Sequence, residues 1–176
     1  MKNNAVKVAT GGLVSALCMV CMLITNVFPF GTYALPAIAG MLLIFIVIEF
    51  SHKWALLVYL SVSILSVFLT ADKEAVLFFI VIFGIYPIIK GKIEVLHSKV
   101  IQWIFKLIMF NIGAVIAYFV SIYILMIPKD SYNIFDLNLP LVFLLIGNIV
   151  FVLYDKGLTN LIIKYVKIWR NKITKR

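Results

Sequence analysis

Apolar residues run along this chain in long uninterrupted blocks, broken by short polar segments at Phe28 to Gly31, Ser51 to Lys53, Ala71 to Glu74, Lys90 to Lys99 and Pro128 to Asn138. The runs are continuous rather than alternating, which predicts helices and not barrel strands. Six helical spans follow, over residues 8–27, 32–50, 54–70, 75–90, 106–127 and 139–156. Each is close to the length of about 20 residues that crosses a hydrocarbon core of about 30 Å. Two further segments mix apolar and basic positions at helical spacing. Residues 92–106 set Val95, Leu96, Val100, Trp103 and Ile104 against Glu94, His97, Lys99 and Gln102. Residues 157–174 set Leu158, Leu161, Ile162, Tyr165, Ile168 and Trp169 against Lys164, Lys167, Arg170 and Lys172. Both predict interfacial amphipathic helices that anchor the bundle to lipid.

Composition excludes a water-soluble fold. Of 176 residues 64% are hydrophobic and 13% charged, with a mean hydropathy of +1.13, against about half apolar and a quarter charged in soluble domains. The fold class expected is all-α integral membrane, a single domain over residues 1–176, with no repeat or linker dividing it. The first apolar stretch follows Lys2 and Lys7 as a secretory signal would, but it is too long and has no small-x-small cleavage pattern near its end, so it reads as a retained span.

Charge orients the bundle. With the N-terminus inside, fourteen of the 16 Lys and Arg residues fall in inner segments, leaving Lys73 and Lys129 outside, each beside acidic residues. The excess predicts an even number of spans with both termini cytoplasmic, as in a multi-pass protein of a bacterial plasma membrane. Topology and anionic lipid account for the net charge of +9, so no nucleic-acid partner is expected.

Polar residues inside spans need partners, cavities or ligands. Tyr59, Ser63, Ser66 and Thr70 recur at i, i+4, i+7 and i+11, one helical face that points into the bundle and runs to Asp72, Lys73 and Glu74. Close helix packing explains such a face as well as a polar cavity wall does. The outer end gathers Asn26, Tyr33, Asp72, Glu74, Tyr123, Asp136 and Asn138, and with Ser63, Ser66 and Tyr118 these are the candidate contacts for a small ligand. Asn111 and Asn148 sit at matching depth and predict an interhelical amide pair. Glu49 lies at an inner helix end beside His52 and Lys53, suited to a salt bridge, and no acid or lysine is placed near the midplane for proton coupling. Cys18 and Cys21 have C-x-x-C spacing but sit on a span without the context of a redox or metal site, and His52 and His97 are isolated. Nucleophile, phosphate-loop and zinc-protease motifs are absent, so neither an enzyme nor a metal or cofactor is expected.

Two stripes of small residues stand out: Gly12-x-x-x-Ala16 in the first span and Gly113-x-x-x-Ala117-x-x-x-Ser121 in the fifth. Such faces let helices approach closely, within one chain or between chains. A basic start, the Gly12 and Ala16 face in the first helix, and six short spans in under 200 residues together resemble the substrate-binding S components of energy-coupling-factor (ECF) transporters. In that family an A-x-x-x-A motif in the first helix contacts a transmembrane T component, and here Gly12 stands for the first alanine. The resemblance implies an outward-opening pocket for a micronutrient, with uptake driven by separate T and ATPase subunits. The alternative function is a non-enzymatic structural or envelope-assembly protein acting through helix-helix contacts.

Overall fold

The computed structural model describes residues 4–126 and 139–170, and these are all-helical with no strand among them. Helices α1 (Asn4–Ile24), α2 (Ala34–Glu49) and α3 (His52–Leu69) pack together. The next segment has two parts, α4 (Lys73–Phe78) and α5 (Tyr86–Ile93), joined through a π turn at Phe79–Phe83. α6 (Lys99–Tyr123) and α7 (Leu139–Lys164) follow, and α7 is extended by a second π turn, Tyr165–Arg170.

Local chemistry sets several of these ends. Ser51 caps α3 by accepting from the Trp54 backbone N–H at 3.4 Å. Asp72 caps α4 by accepting from the Ala75 N–H at 3.0 Å. Pro87 stands in the first turn of α5, where a missing N–H costs nothing.

α2 is apolar on every side until Glu49, and such a helix belongs in the middle of a bundle. It contacts α1, α3, α4, α5 and α7, and only Ala34 and Ile38 along it are exposed. The core lies on either side of it. One half joins Val14, Cys18, Met22, Leu43, Ile46, Val58, Val62 and Phe79, the other Ile44, Ile82, Phe83, Tyr86, Phe110, Phe151, Tyr154 and Leu158.

The outward surfaces are as apolar as the core. Leu57, Leu60, Ile64 and Phe68 of α3, and Ile104, Ile108, Ile112 and Phe119 of α6, are all exposed. Patches of this kind are not left bare in water. Among the described residues five segments are long and apolar enough to cross a membrane: Asn4–Ile24, His52–Leu69, Lys73–Ile93, Lys99–Tyr123 and Leu144–Lys167; the 16-residue α2 is shorter. The chain is thus a multi-pass membrane protein by length and composition.

The two expected interfacial helices do not form as separate elements. Residues 99–106 are the first turns of α6, which follows α5 after a short connector at residues 94–98. Residues 157–164 continue α7 without a break, with Leu158 fully buried in the core; residues 171–174 lie outside those described. The reason is electrostatic. Lys106 sets the expected start of one span and Asp155 lies one residue short of the expected end of another, but they neutralise one another inside the bundle, and the helices run on through them.

Candidate functional site

At the end of the bundle where α1 and α3 finish, the chain reversals are tied by polar side chains. The Asn26 amide oxygen accepts from the backbone N–H groups of Ala71 (2.9 Å) and Asp72 (3.2 Å). Thr32 donates to Asp72 Oδ2 at 2.8 Å, and Tyr33 donates to Glu74 Oε1 at 2.8 Å. Asn26 and Asp72 therefore meet at the turn backbone, Tyr33 and Glu74 meet beside them, and Tyr33 also packs edge-on against Phe78. Ser63 and Ser66 are buried on the inward face of α3, the Ser66 hydroxyl lying 3.4 Å from Met19 Sδ. Tyr118 and Tyr123 instead form an aromatic ladder with Phe119 on α6, and Tyr123 is exposed. Asp136 and Asn138 lie outside the described residues.

Asn111 of α6 and Asn148 of α7 form a reciprocal pair, each amide nitrogen donating to the other's oxygen (3.2 and 3.0 Å). The second proton of each goes to its own helix, to Leu107 O and Leu144 O, both at 2.7 Å. Helix-helix bonds of this kind average under about 1 kcal/mol in membranes, because a separated amide still finds its i−4 carbonyl. A double-mutant cycle with Asn111→Leu and Asn148→Leu, read by unfolding in detergent, is expected to give a coupling of about 0.5–1 kcal/mol. A coupling above about 2 kcal/mol would mean that the pair does more than join two helices.

The two small-residue stripes separate. Gly113 lies against the π turn, where an added Cβ would come within 2.9 Å of Ile82 Cγ1, and Ala117 and Ser121 are buried with it. Gly12 and Ala16 are exposed, and a Cβ on Gly12 would meet nothing within 4 Å. Its neighbour Gly11 is the residue that faces the bundle, toward Val58.

The densest chemistry lies at the opposite, lysine-rich end. Tyr86, Lys90 and Glu94 project from one face of α5 at i, i+4 and i+8, Lys106 comes from α6, and Asp155 and Thr159 come from adjacent turns of α7. Asp155 Oδ1 accepts from Tyr86, Lys90 and, at 3.1 Å, Lys106; its Oδ2 takes a second contact from Lys106 at 3.0 Å. Lys90 also donates to Thr159 Oγ1 at 2.9 Å. Glu94 Oε1 lies between the two ammonium groups, 2.6 Å from Lys90 and 2.7 Å from Lys106. Lys90 is fully buried, Lys106 and Asp155 nearly so, and the Glu94 side chain is 34% exposed.

Two cations and two carboxylates balance. A lone charge at this depth would cost several kcal/mol, so each member depends on the others. Burial disfavours the Glu94 carboxylate, but hydrogen bonds from Lys106 and Lys90 outweigh it and hold its carboxyl below the usual range. Glu49, at the same end, accepts from the Tyr165 hydroxyl at 2.9 Å, tying the tail of α7 to α2.

By sequence, Lys90 and Lys106 count among the inner, water-facing lysines, and Asp155 is left without a role inside the span 139–156. The signal for Lys90 is the i, i+4, i+8 spacing of Tyr86, Lys90 and Glu94, which puts a tyrosine, a cation and an acid on one face; Lys106 and Asp155 carry no such local signal.

No family model matches this chain, and neither does any curated protein or solved structure.

Proposed function

We propose that this chain is a membrane-embedded, non-catalytic solute-binding subunit of the ECF type, which captures a small micronutrient at its outer face and relies on separate T and ATPase subunits. In this reading all six helical segments cross the bacterial plasma membrane, with both termini cytoplasmic. α2, about 24 Å long at 1.5 Å per residue, crosses because its neighbours surround it. The observation that carries the reading is the exposed Gly12 and Ala16 face. The other stripe, at Gly113, is consumed by packing within the chain, whereas this one is flat, at membrane depth and open to a partner helix.

The test is Gly12→Leu. Its side chain would project into open space, so the stability of the isolated protein is expected to stay within about 0.5 kcal/mol of wild type. Copurification with a T component and its ATPases is expected to fall about tenfold or more, since a lost close contact worth 1.4 kcal/mol is already a factor of ten. Undiminished copurification would remove the partner-face reading.

A second reading, a structural or envelope-assembly protein working through helix contacts alone, is favoured by a different observation. Asn26 and Asp72 are engaged by the turn backbone, Asp72 also by Thr32, and Tyr33 donates to Glu74. The clefts at Phe45, Leu161, Lys164 and Tyr165, and at Val81, Phe105 and Gly113, are apolar-lined and contain none of these residues. A small molecule recovered with the purified protein separates the two readings: its presence supports the first, and a ligand-indifferent bundle supports the second.

A further inference from the structure

The ion cluster divides into a deep part and a shallow part. Lys90, Lys106 and Asp155 are buried and together carry one net positive charge. Glu94 supplies the missing negative charge from the rim. It stands in the turn that ends α5, with its side chain 34% exposed and one carboxylate oxygen placed between the two ammonium groups. The backbone beneath it is pinned, because Gln102 Nε2 donates to both Glu94 O (3.1 Å) and Leu96 O (2.7 Å). Withdrawal of Glu94 therefore needs only rotation of its side chain, not movement of the connector.

That rotation would leave two ammonium groups converging on one vacated oxygen position, a geometry that suits a phosphate oxyanion. The approach is basic, with Lys92, His97 and Lys99 exposed around the connector. Trp103 lies beside the cluster, its ring centre 5.2 Å from Lys106 Nζ, and Val95 and Val100, nearby in sequence, are exposed. Tryptophan with exposed aliphatic residues at a helix end marks headgroup depth, and basic pockets between membrane helices at that depth take phosphate headgroups.

We propose that Lys90 and Lys106 form a phosphate-binding seat at the lysine-rich end of the bundle, which Glu94 fills as an internal stand-in and vacates when a phosphate group arrives. The phosphate can belong to an anionic phospholipid headgroup or to a free anion from solution. This site is at the opposite end from Asn26, Asp72 and Glu74, and it stands or falls independently of the solute-binding reading.

The chain has only three glutamates, Glu49, Glu74 and Glu94, so full-length protein labelled with 13C at the glutamate carboxyl carbon gives three signals to follow by NMR. In nanodiscs of phosphatidylcholine, one arm adds inorganic phosphate with chloride holding ionic strength constant. The other replaces part of the lipid with phosphatidylglycerol. One signal is expected to move, and it is the one that survives in both Glu49→Gln and Glu74→Gln. Movement with phosphatidylglycerol alone supports a lipid headgroup, and movement with inorganic phosphate supports a free anion. An unmoved Glu94 signal in both arms overturns the proposal. As a second measurement, Glu94→Gln removes the internal competitor and is expected to bind the same probe about tenfold more tightly. A folded Glu94→Gln protein with no gain in either arm overturns it equally, and if that variant does not fold the NMR experiment on the wild type decides.

Discussion

Asp155→Leu is expected to destabilise the protein by about 3–5 kcal/mol, the range for breaking a buried ion pair by removing one partner. The substitution fits the space and would be mild at a lipid-facing position. Here it strips the deep carboxylate from beneath two cations. Lys90 has no exposed surface, and Glu94, shared with Lys106 and a third exposed, is then the only carboxylate left among these contacts. Tyr86 also loses its acceptor. The effect should exceed that of Glu94→Gln, because Glu94 sits at the rim where water can take its place. Unfolding by denaturant in mixed micelles reads the loss. Adding Lys90→Met to Asp155→Leu should recover a large part of it, since an apolar pair of similar volume is often as stable as the ions it replaces. A single-variant loss under about 1 kcal/mol, or no recovery in the double variant, would mean that water reaches the cluster and screens it.

The prominence of this cluster explains where the sequence was readable and where it was not. The all-helical, multi-pass character and the rough position of five spans followed from apolar runs, because the backbone of a span must satisfy its own hydrogen bonds whatever its neighbours are. The failures came at charges. A lysine or aspartate in an apolar run normally marks the water boundary; the expected span 106–127 starts at Lys106, and the expected span 139–156 closes just past Asp155. Partners 49 residues apart cancel them, and no local pattern reports a partner. α6 therefore starts at Lys99 and not at 106, and α7 runs on to Lys164.

Asn111 and Asn148 were legible as a pair for the opposite reason, since two amides at matched depth in neighbouring spans have few other partners. At the other end the grouping of Asn26, Tyr33, Asp72 and Glu74 followed from topology alone. What topology cannot say is that the Asn26 side chain holds the turn at Ala71 and Asp72, because that depends on the geometry of the chain reversal. Adjacent glycines show the same limit. Gly11 and Gly12 differ by about 100° around α1; one faces Val58 and the other faces open space. Spacing identifies a flat face, but only the packed bundle shows which flat face is spare.

Gly40→Ala should move stability in the opposite direction from Gly12→Ala, though both replace a helical glycine by the best helix former. On propensity alone each would gain up to about 1 kcal/mol. At Gly12 nothing opposes that gain, since the new methyl meets no atom within 4 Å. At Gly40 a methyl group would drive into the carbonyl oxygen of Phe83, and would also stand 2.8 Å from the Phe83 carbonyl carbon and 2.8 Å from the Tyr154 hydroxyl. None of these atoms can yield easily. Phe83 ends the π turn, whose wide loop is closed by Gly84 N–H donating to Phe79 O at 2.7 Å. The freed carbonyls of that turn are taken up by tyrosines from neighbouring helices, Ile80 O by Tyr59 at 2.7 Å and Phe83 O by Tyr154 at 3.2 Å. A shift of α2 away from Phe83 would disturb both halves of the core, because α2 lies between them. The expected loss for Gly40→Ala is about 3 kcal/mol, the upper range for overpacking, and Gly40→Leu should not yield folded protein. Thermal unfolding of the two alanine variants side by side in one detergent provides the comparison. Equal stabilities would mean that α2 does not approach the π turn closely, and the central placement of α2 would have to be abandoned.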